Sequence, residues 1–235
     1  MSGWTFPSSS GIELTENAIR IALGEPPGSL APVWHRTSAE RAAISIPGVV
    51  EEITGVGEVR ADPHVAELFL TVSPGTTVRF PQSNVEKCAN VIAVHEERTP
   101  ACRHAEAAIA RMEVVLTPGN QESARFLFTE QQHVAYPSAY RASLERATPA
   151  SLSEFYKVVA KASNERPMIA ATTGTLGEER DWAYRTLQET VETLTSADLV
   201  SLGSRENSAG RIVWWAILKG GLQGGRYAAR SIART

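Results

Sequence analysis

The chain has 235 residues, of which 43% are apolar and 21% are charged, and its formal net charge is −3. This composition is typical of a soluble globular protein with one domain or two small ones. It excludes the strongly basic surface that nucleic acid binding requires, and no apolar stretch is long enough to span a membrane. Two cysteines are too few for a disulfide framework, and the amino terminus shows no signal-peptide pattern, so we expect a cytoplasmic protein.

The first half of the chain predicts a mixture of helices and strands. Apolar residues at helical spacing predict an amphipathic helix over 12–23, after a loop at 8–11. Thr99 as N-cap and Pro100 as first helical residue predict a second helix that runs to about residue 116. Period-two patterns and compact apolar runs predict strands at 42–46, 65–72, 77–80 and 91–94, and a helical turn is expected at 58–61. The Ser-Pro-Gly turn between the second and third of these strands suggests a hairpin.

The second half of the chain is predominantly helical in pattern. A helix capped by Ser151 or Ser153 is predicted, followed by a turn-rich loop at 172–177 and a long helix over 178–194. We interpret the acidic residues at the start of this last helix, Glu178, Glu179 and Asp181, as a solvated first turn. A final helical stretch at 212–227 contains four glycines, for which close packing is a better interpretation than a phosphate-binding loop.

These elements predict an α+β fold. We expect a small, mostly antiparallel sheet with flanking helices, followed by a helical carboxyl-terminal region. The predicted domain boundaries are 1–130 for the sheet domain, 131–150 for a polar connector and 151–235 for the helical region.

Three segments of the first half carry distinctive motifs, which are PGVVEEITG at 47–55, the strand at 68–72 followed by Pro-Gly, and NVIAV at 90–94 before an alanine-rich helix that contains Glu106. Together these segments resemble the carboxyl-terminal lobe of ATP-grasp carboxylate–amine ligases. The helix at 12–23, with the Gly-Glu-Pro that follows it, resembles the segment that precedes this lobe in the family. The resemblance implies the fold of such a lobe.

The same resemblance implies that the ATP and magnesium sites are missing. In the family, the lysines that hold the phosphates and the Glu-x-Asn pair that ligates Mg²⁺ lie upstream of the helix with which this chain begins. Phosphoryl transfer needs such cations and hard oxygen ligands. Neither has a counterpart here, and a Gly-x-x-x-x-Gly-Lys-Ser/Thr motif is also absent. We therefore expect no cofactor and lean against catalysis. His95 also departs from the family, since a glycine usually follows this strand.

Histidine and cysteine residues between positions 88 and 104 raise the question of a metal or thiol site. Cys88, His95, Cys102 and His104 contain no Cys-x-x-Cys, and the last two lie two apart on a helix, so no metal site is expected. A nucleophilic thiol would need His95 or His104 as its base; a small buried side chain is the preferred interpretation of Cys102. We expect His64, like His35, to be an isolated surface residue.

Three functional hypotheses follow from the resemblance. The first is a non-catalytic accessory protein, a foldase-like helper or specificity partner of a bacterial biosynthetic ligase, in a setting such as natural-product or antibiotic biosynthesis. The second is a regulatory or substrate-binding subunit of a split ligase, and the third is a homodimer with a ligand cleft. A protein partner is expected in the first two. The candidate ligand or interface residues are Glu51, Glu52, Arg79, Lys87, His95, Trp214 and Trp215. The tryptophan pair fits either a core or an interface.

Overall fold

The structure is a computed structural model that describes residues 2–129, 137–161, 166–170 and 178–233. The predicted loop at 172–177 and the start of the predicted connector lie outside these residues. In chain order the elements are α1 (Ser2–Ser10), α2 (Leu14–Ala22), β1 (Thr37–Ala43), β2 (Gly48–Thr54), α3 (Val56–Ala61), β3 (Val65–Leu70), β4 (Thr77–Val78), β5 (Ala89–His95), α4 (Arg98–Arg111), β6 (Glu113–Leu116), α5 (Gln121–Phe128), α6 (Arg141–Leu144), α7 (Leu152–Ala160), β7 (Met168–Ala170), α8 (Leu187–Ser196), β8 (Ser201–Gly203) and α9 (Ser208–Ala233). The predicted α+β class is confirmed.

The chain forms two compact units that interleave along the sequence. The first contains the described residues of 1–43, 55–71 and 89–112, and the second contains those of 44–54, 72–88 and 113–235. The predicted domains, by contrast, are consecutive stretches, and their boundaries at 130 and 151 stay a prediction. Among the described residues, none of the helices combines the length and apolarity that a bilayer crossing needs.

The first unit is built on the antiparallel sheet β1-β5-β3. β5 is the central strand, and its apolar run at 91–94 is buried because it has a strand on each side and α4 packs against it. Ala39 and Ala93 of the sheet meet Ala101 and Ala105 of α4 in a buried cluster. These small side chains let the helix lie close to the strands.

The second unit combines the antiparallel sheet β4-β2-β6 with the carboxyl-terminal helices. α9 is its central element, since α5, α6, α7, α8, β6 and β7 all pack against it. β7 and β8 add a two-stranded parallel sheet that the sequence does not predict. Most of α9 is buried, which explains the dense apolar pattern around Ile212 to Leu218.

α9 is broken at Gly221. This residue has φ 61° and ψ −152°, a conformation that is essentially restricted to glycine, so Leu222 begins a new helical segment. The other glycines allow close contact: an added Cβ at Gly220 would lie 2.7 Å from the Leu127 side chain, and at Gly224 it would overlap the Ala216 carbonyl oxygen. The prediction that these glycines allow close packing is confirmed. Gly221 has the additional role of interrupting the helix.

The predicted hairpin between 65–72 and 77–80 is wrong. β3 pairs with β5, whereas β4 pairs with β2. The turn at 73–76 does not close a hairpin because its backbone bonds to β2: the Gly75 amide donates to the Val50 carbonyl at 2.8 Å, and Val50 donates to Thr76 at 2.9 Å. A turn signal in the sequence thus does not identify the strands that pair.

Other boundaries also differ from the prediction. The helix expected to reach residue 116 ends at Arg111, because Val114 and Val115 extend as β6 and pair with β2. It begins at Arg98, so Thr99 is not its N-cap. The expected loop at 8–11 is mostly the end of α1, and the strand predicted at 42–46 is β1, which lies about five residues earlier.

The long helix predicted over 178–194 begins only at Leu187. Thr186 is its N-cap, and Thr186 and Glu189 form a capping box in which each side chain accepts the backbone N–H of the other. The residues before it form a turn in which Tyr184 has a positive φ. The interpretation of Asp181 as part of a solvated helix start is therefore wrong, since this side chain is buried. Ser151, by contrast, is one of the two predicted caps of α7, and it does cap this helix. It forms a capping box with Glu154.

Candidate functional site

The amino-terminal part of the first unit exposes an unusual number of large apolar side chains. We call residues 4–34 the N-terminal apolar segment; its exposed members are Trp4, Phe6, Leu14, Ile19, Ile21, Leu23, Leu30, Val33 and Trp34. They make up nine of the twelve large apolar residues that are exposed among the described residues. Large exposed apolar patches mark interaction sites on proteins.

α2 forms at the predicted place, but its apolar face is not buried. Ile19 is 57% exposed and Leu23 is 71% exposed, and the buried residue of this helix is the polar Asn17. The Asn17 side chain donates to the Glu13 carbonyl and accepts the Gly28 amide at 2.6 Å, so it ties the following loop to the helix. The helix is thus fixed by polar contacts while its apolar side chains face outward.

The N-terminal apolar segment is also attached firmly to the first unit. The Trp4 ring contacts Phe69 of β3 edge-on, with centroids 5.1 Å apart. The Ser38 hydroxyl donates to the Thr5 carbonyl at 2.7 Å, and the Arg36 guanidinium donates to the Ser8 carbonyl at the same distance. These contacts join the start of the segment to β3 and to residues at and before β1.

Three histidines of the first unit come together, which the sequence does not predict. His64 stacks on His104 with ring centroids 3.8 Å apart, and His95 lies 6.0 Å and 5.8 Å from them. The expectation that His64 is isolated is wrong, because the turn before β3 brings it to α4. His35 is exposed, as expected. Among the described residues, no group of three or more His, Cys, Asp or Glu side chains is placed to hold a metal ion.

The two thiols do not form a nucleophilic site in the described structure. Burial raises the pKa of the Cys88 thiol to about 11, so it stays protonated at neutral pH. Cys102 is half-buried and packs against the alanine cluster of the first unit. Cys102 thus packs as a small apolar side chain, but it is half-buried and not buried as expected.

The predicted candidate residues do not converge on one place. Glu51 pairs with Arg230 of α9 through two contacts of 2.7 and 3.2 Å, which is a packing contact within the second unit. Glu52 is exposed and Lys87 is half-buried. Trp215 belongs to the core, since its ring N–H donates to the Leu127 carbonyl at 3.0 Å, whereas its neighbour Trp214 is half-buried.

Arg79 lines a cleft of about 320 Å³ in the second unit, together with Gly48, Gln82, Asn120 and Glu122. Its guanidinium is mostly exposed and lies 3.9 Å from Glu86. The first amides of α5 are already engaged, because the Asn120 side chain accepts the Glu122 and Ser123 N–H groups. The charged groups of the cleft are already close to partners, since Arg79 lies near Glu86 and Glu122 pairs with Arg125.

A buried polar cluster surrounds the break in α9. The Asp181 carboxylate accepts the amides of Ala183 and Arg185, both at 2.9 Å, and also that of Leu222. It thereby caps the second segment of α9. Burial raises the pKa of Asp181, and burial lowers the pKa of Lys219, which is 2% exposed, to about 8. The sequence does not predict this cluster. Its one signal in the sequence is the pair Gly220 and Gly221, at which the helix breaks.

The predicted resemblance to an ATP-grasp carboxyl-terminal lobe is confirmed for residues 42–117. More particularly, these residues match the family of L-amino acid ligase C-terminal domain 2. The match includes β2, β3, β5 and α4, on which the resemblance rests.

Two solved structures are similar to part of the chain. One is an L-amino acid ligase from Bacillus licheniformis, with 18% identity, a TM-score of 0.42 and coverage of 49% of this chain and 29% of that one. The other is a phosphoribosylglycinamide synthetase from Anaerococcus prevotii, with 14% identity, a TM-score of 0.44 and coverage of 49% and 30%. The chain thus spans less than a third of either structure. No curated protein matches it.

Proposed function

We propose that this protein is a non-catalytic accessory protein that binds a biosynthetic ligase through its N-terminal apolar segment. The observation that carries the proposal is the exposure of nine large apolar side chains on a segment attached to a domain of ligase origin. Such a domain normally works as one part of a larger enzyme. An accessory role as helper or specificity partner uses the same surface to bind a separate chain.

The charges of the segment favour a protein partner over a membrane. Residues 4–34 contain three glutamates, one arginine and no lysine. Helices that lie on membranes are typically rich in lysine and arginine on their polar face, which attracts them to anionic lipids. An apolar segment with one basic residue instead fits a complementary apolar surface of another protein.

The first experiment tests the absence of an ATP site. The purified full chain is titrated with ATP and Mg²⁺ in a calorimeter, and the solution is assayed for ADP and AMP. We expect no saturable heat and no nucleotide turnover, because the lysines and acidic metal ligands of the family have no counterpart in the sequence. Saturable binding with product formation would overturn the non-catalytic proposal.

The second experiment tests the partner surface. A candidate biosynthetic ligase from the same genome is co-expressed with the wild-type chain, with Ile19→Ser/Leu23→Ser and with the control Val85→Ser, which lies outside the segment and is 87% exposed. We expect the wild type and the control to co-purify with the ligase and the double variant to be lost. Equal recovery of all three chains would exclude the segment as the binding surface.

A split ligase is the alternative that the family match favours, because the family that residues 42–117 match is a domain of a ligase. In that case this chain is a regulatory or substrate-binding subunit, and the ATP-binding lobe is on another polypeptide. Amino-acid-dependent phosphate release that appears only on mixing the two chains would support this alternative. A separate ligase that is fully active alone would support the accessory role.

A further inference from the structure

The three clustered histidines come from three parts of the first unit. His64 lies in the turn before β3, His95 is the last residue of β5, and His104 lies in the middle of α4. All three side chains are half-buried, and the rings of His64 and His104 are nearly parallel, with 16° between their planes. The ring centroids of the three imidazoles thus lie within 6.0 Å of one another.

The hydrogen bonding of His95 requires an unprotonated nitrogen. Its Nδ1 accepts the backbone N–H of Glu97 at 3.0 Å. Glu97 is the N-cap residue of α4 and has no side-chain cap bond of its own. An imidazolium carries a proton on both nitrogens and accepts no hydrogen bond, so protonation of His95 removes this contact at the start of the helix.

The surroundings of His104 oppose its protonation. Burial, the neighbouring His64 and His95, and the Arg111 guanidinium lower the pKa of His104, whereas Asp62 acts in the opposite direction. The Asp62 carboxylate is already engaged, because it accepts Arg111 at 2.5 Å and the His64 backbone amide at 2.9 Å. The elements packed nearby also carry charges. These are Arg36 before β1, Glu40 and Arg41 in β1, Glu58 and Arg60 on α3, Glu67 on β3, and Glu96, Glu97, Arg98, Arg103 and Glu106 before and in α4.

We propose that His64, His95 and His104 form a proton-sensitive switch, which fixes the β5–α4 junction when the imidazoles are neutral and loosens it when they are protonated. A proton taken up by His95 ends its bond to Glu97. A proton on His64 or His104 places a cation against the stacked partner ring and next to Arg111. The switch responds to protons and not to a metal ion, since the free nitrogen of His95 carries the hydrogen that its bond to Glu97 implies.

The sign of the effect follows from the lowered pKa of His104. A histidine whose pKa is lower in the folded state is more protonated when unfolded, so folding stability falls as the pH decreases through the range below about 6.5. The folding stability of the first unit should therefore be highest above neutral pH. The β5–α4 junction should open first on acidification.

The test follows the histidines of the full chain by NMR between about pH 8 and pH 5. The exposed His35 serves as an internal reference outside the cluster. We expect the His104 ring to titrate at lower pH than His35 and the Glu97 amide signal to shift along with the cluster. Titration of all the described histidines at the pH of His35, or a Glu97 amide that does not respond, would overturn the proposal.

Variants separate the switch from a general effect of acid. We expect acidification from about pH 7.5 to 5.5 to lower the Tm of the wild type and of His35→Gln by the same amount, and to lower that of His95→Gln/His104→Gln by about half as much or less. Equal decreases in all three proteins would contradict the proposal. If the double variant does not fold, the NMR titration of the wild type decides the question.

Discussion

At the scale of single residues, Asp181 has the clearest structural role. Its carboxylate accepts three backbone N–H groups, and one of them belongs to Leu222, the first residue after the break in α9. Asp181→Ala leaves these amides buried without an acceptor, at a cost of about 1–3 kcal/mol for each poorly satisfied group. We therefore expect a decrease of about 3 kcal/mol in the free energy of unfolding, measured by urea denaturation.

Asp181→Asn is the matched control for this substitution. Asparagine has nearly the same size and keeps one oxygen for the Ala183 and Arg185 amides, but it replaces the second oxygen with an NH₂ group. We expect roughly half of the alanine effect. If alanine and asparagine are equally harmless, the carboxylate does not hold the second segment of α9 in place.

A second residue-scale prediction concerns Glu51, which the sequence offers as a ligand or interface candidate. Its ion pair with Arg230 is two-thirds or more buried and has two contacts, so it joins β2 to α9 more firmly than an exposed pair would. We expect Glu51→Arg to destabilise the protein by about 2 kcal/mol and the exchange Glu51→Arg/Arg230→Glu to recover about half of this loss. A double variant no more stable than the single one would argue against the pair.

At the scale of secondary structure elements, the break in α9 can be tested with two glycines. Gly221→Ala forces a side chain into a conformation with φ 61° and places its Cβ 2.6 Å from the Asp181 carboxylate, so we expect a loss of about 2–4 kcal/mol. Gly57→Ala is the control, because Gly57 lies in α3 with open space around it and alanine favours helix by about 1 kcal/mol. The Tm should therefore decrease in Gly221→Ala and increase in Gly57→Ala. A Gly221→Ala protein as stable as the wild type would mean that α9 is not broken at this residue.

The elements also show which features the sequence can predict. β5, α2 and α7 form where local periodicity and capping place them, because each signal lies within the element itself. β6 and the pairing of β4 cannot be predicted in this way, since they depend on β2, which lies distant in the sequence. The stretch at 178–186 has a helical pattern, but the buried Asp181 uses its carboxylate to bind backbone amides of the turn.

At the scale of the whole molecule, the sequence alone predicts the resemblance to an ATP-grasp lobe. The family match covers residues 42–117. The candidate site is a different matter. The helical spacing of Leu14, Ile19 and Leu23 predicts an amphipathic helix, but spacing does not state whether the apolar face packs against the same chain or against another one. The histidine cluster likewise depends on a turn, a strand end and a helix that are distant in sequence.

If the N-terminal apolar segment binds a partner, its side chains should contribute little to the stability of the isolated protein. Ile19→Ser/Leu23→Ser should change the free energy of unfolding by less than about 0.5 kcal/mol, because both side chains remain mostly in contact with water. Ile46→Ser is the control in the second unit; Ile46 is fully buried, and we expect a loss of about 4 kcal/mol. The double variant should also bind less of an apolar fluorescent dye than the wild type. A large loss of stability in the double variant would mean that the segment belongs to the protein's own core, and its exposed side chains would no longer support a binding surface.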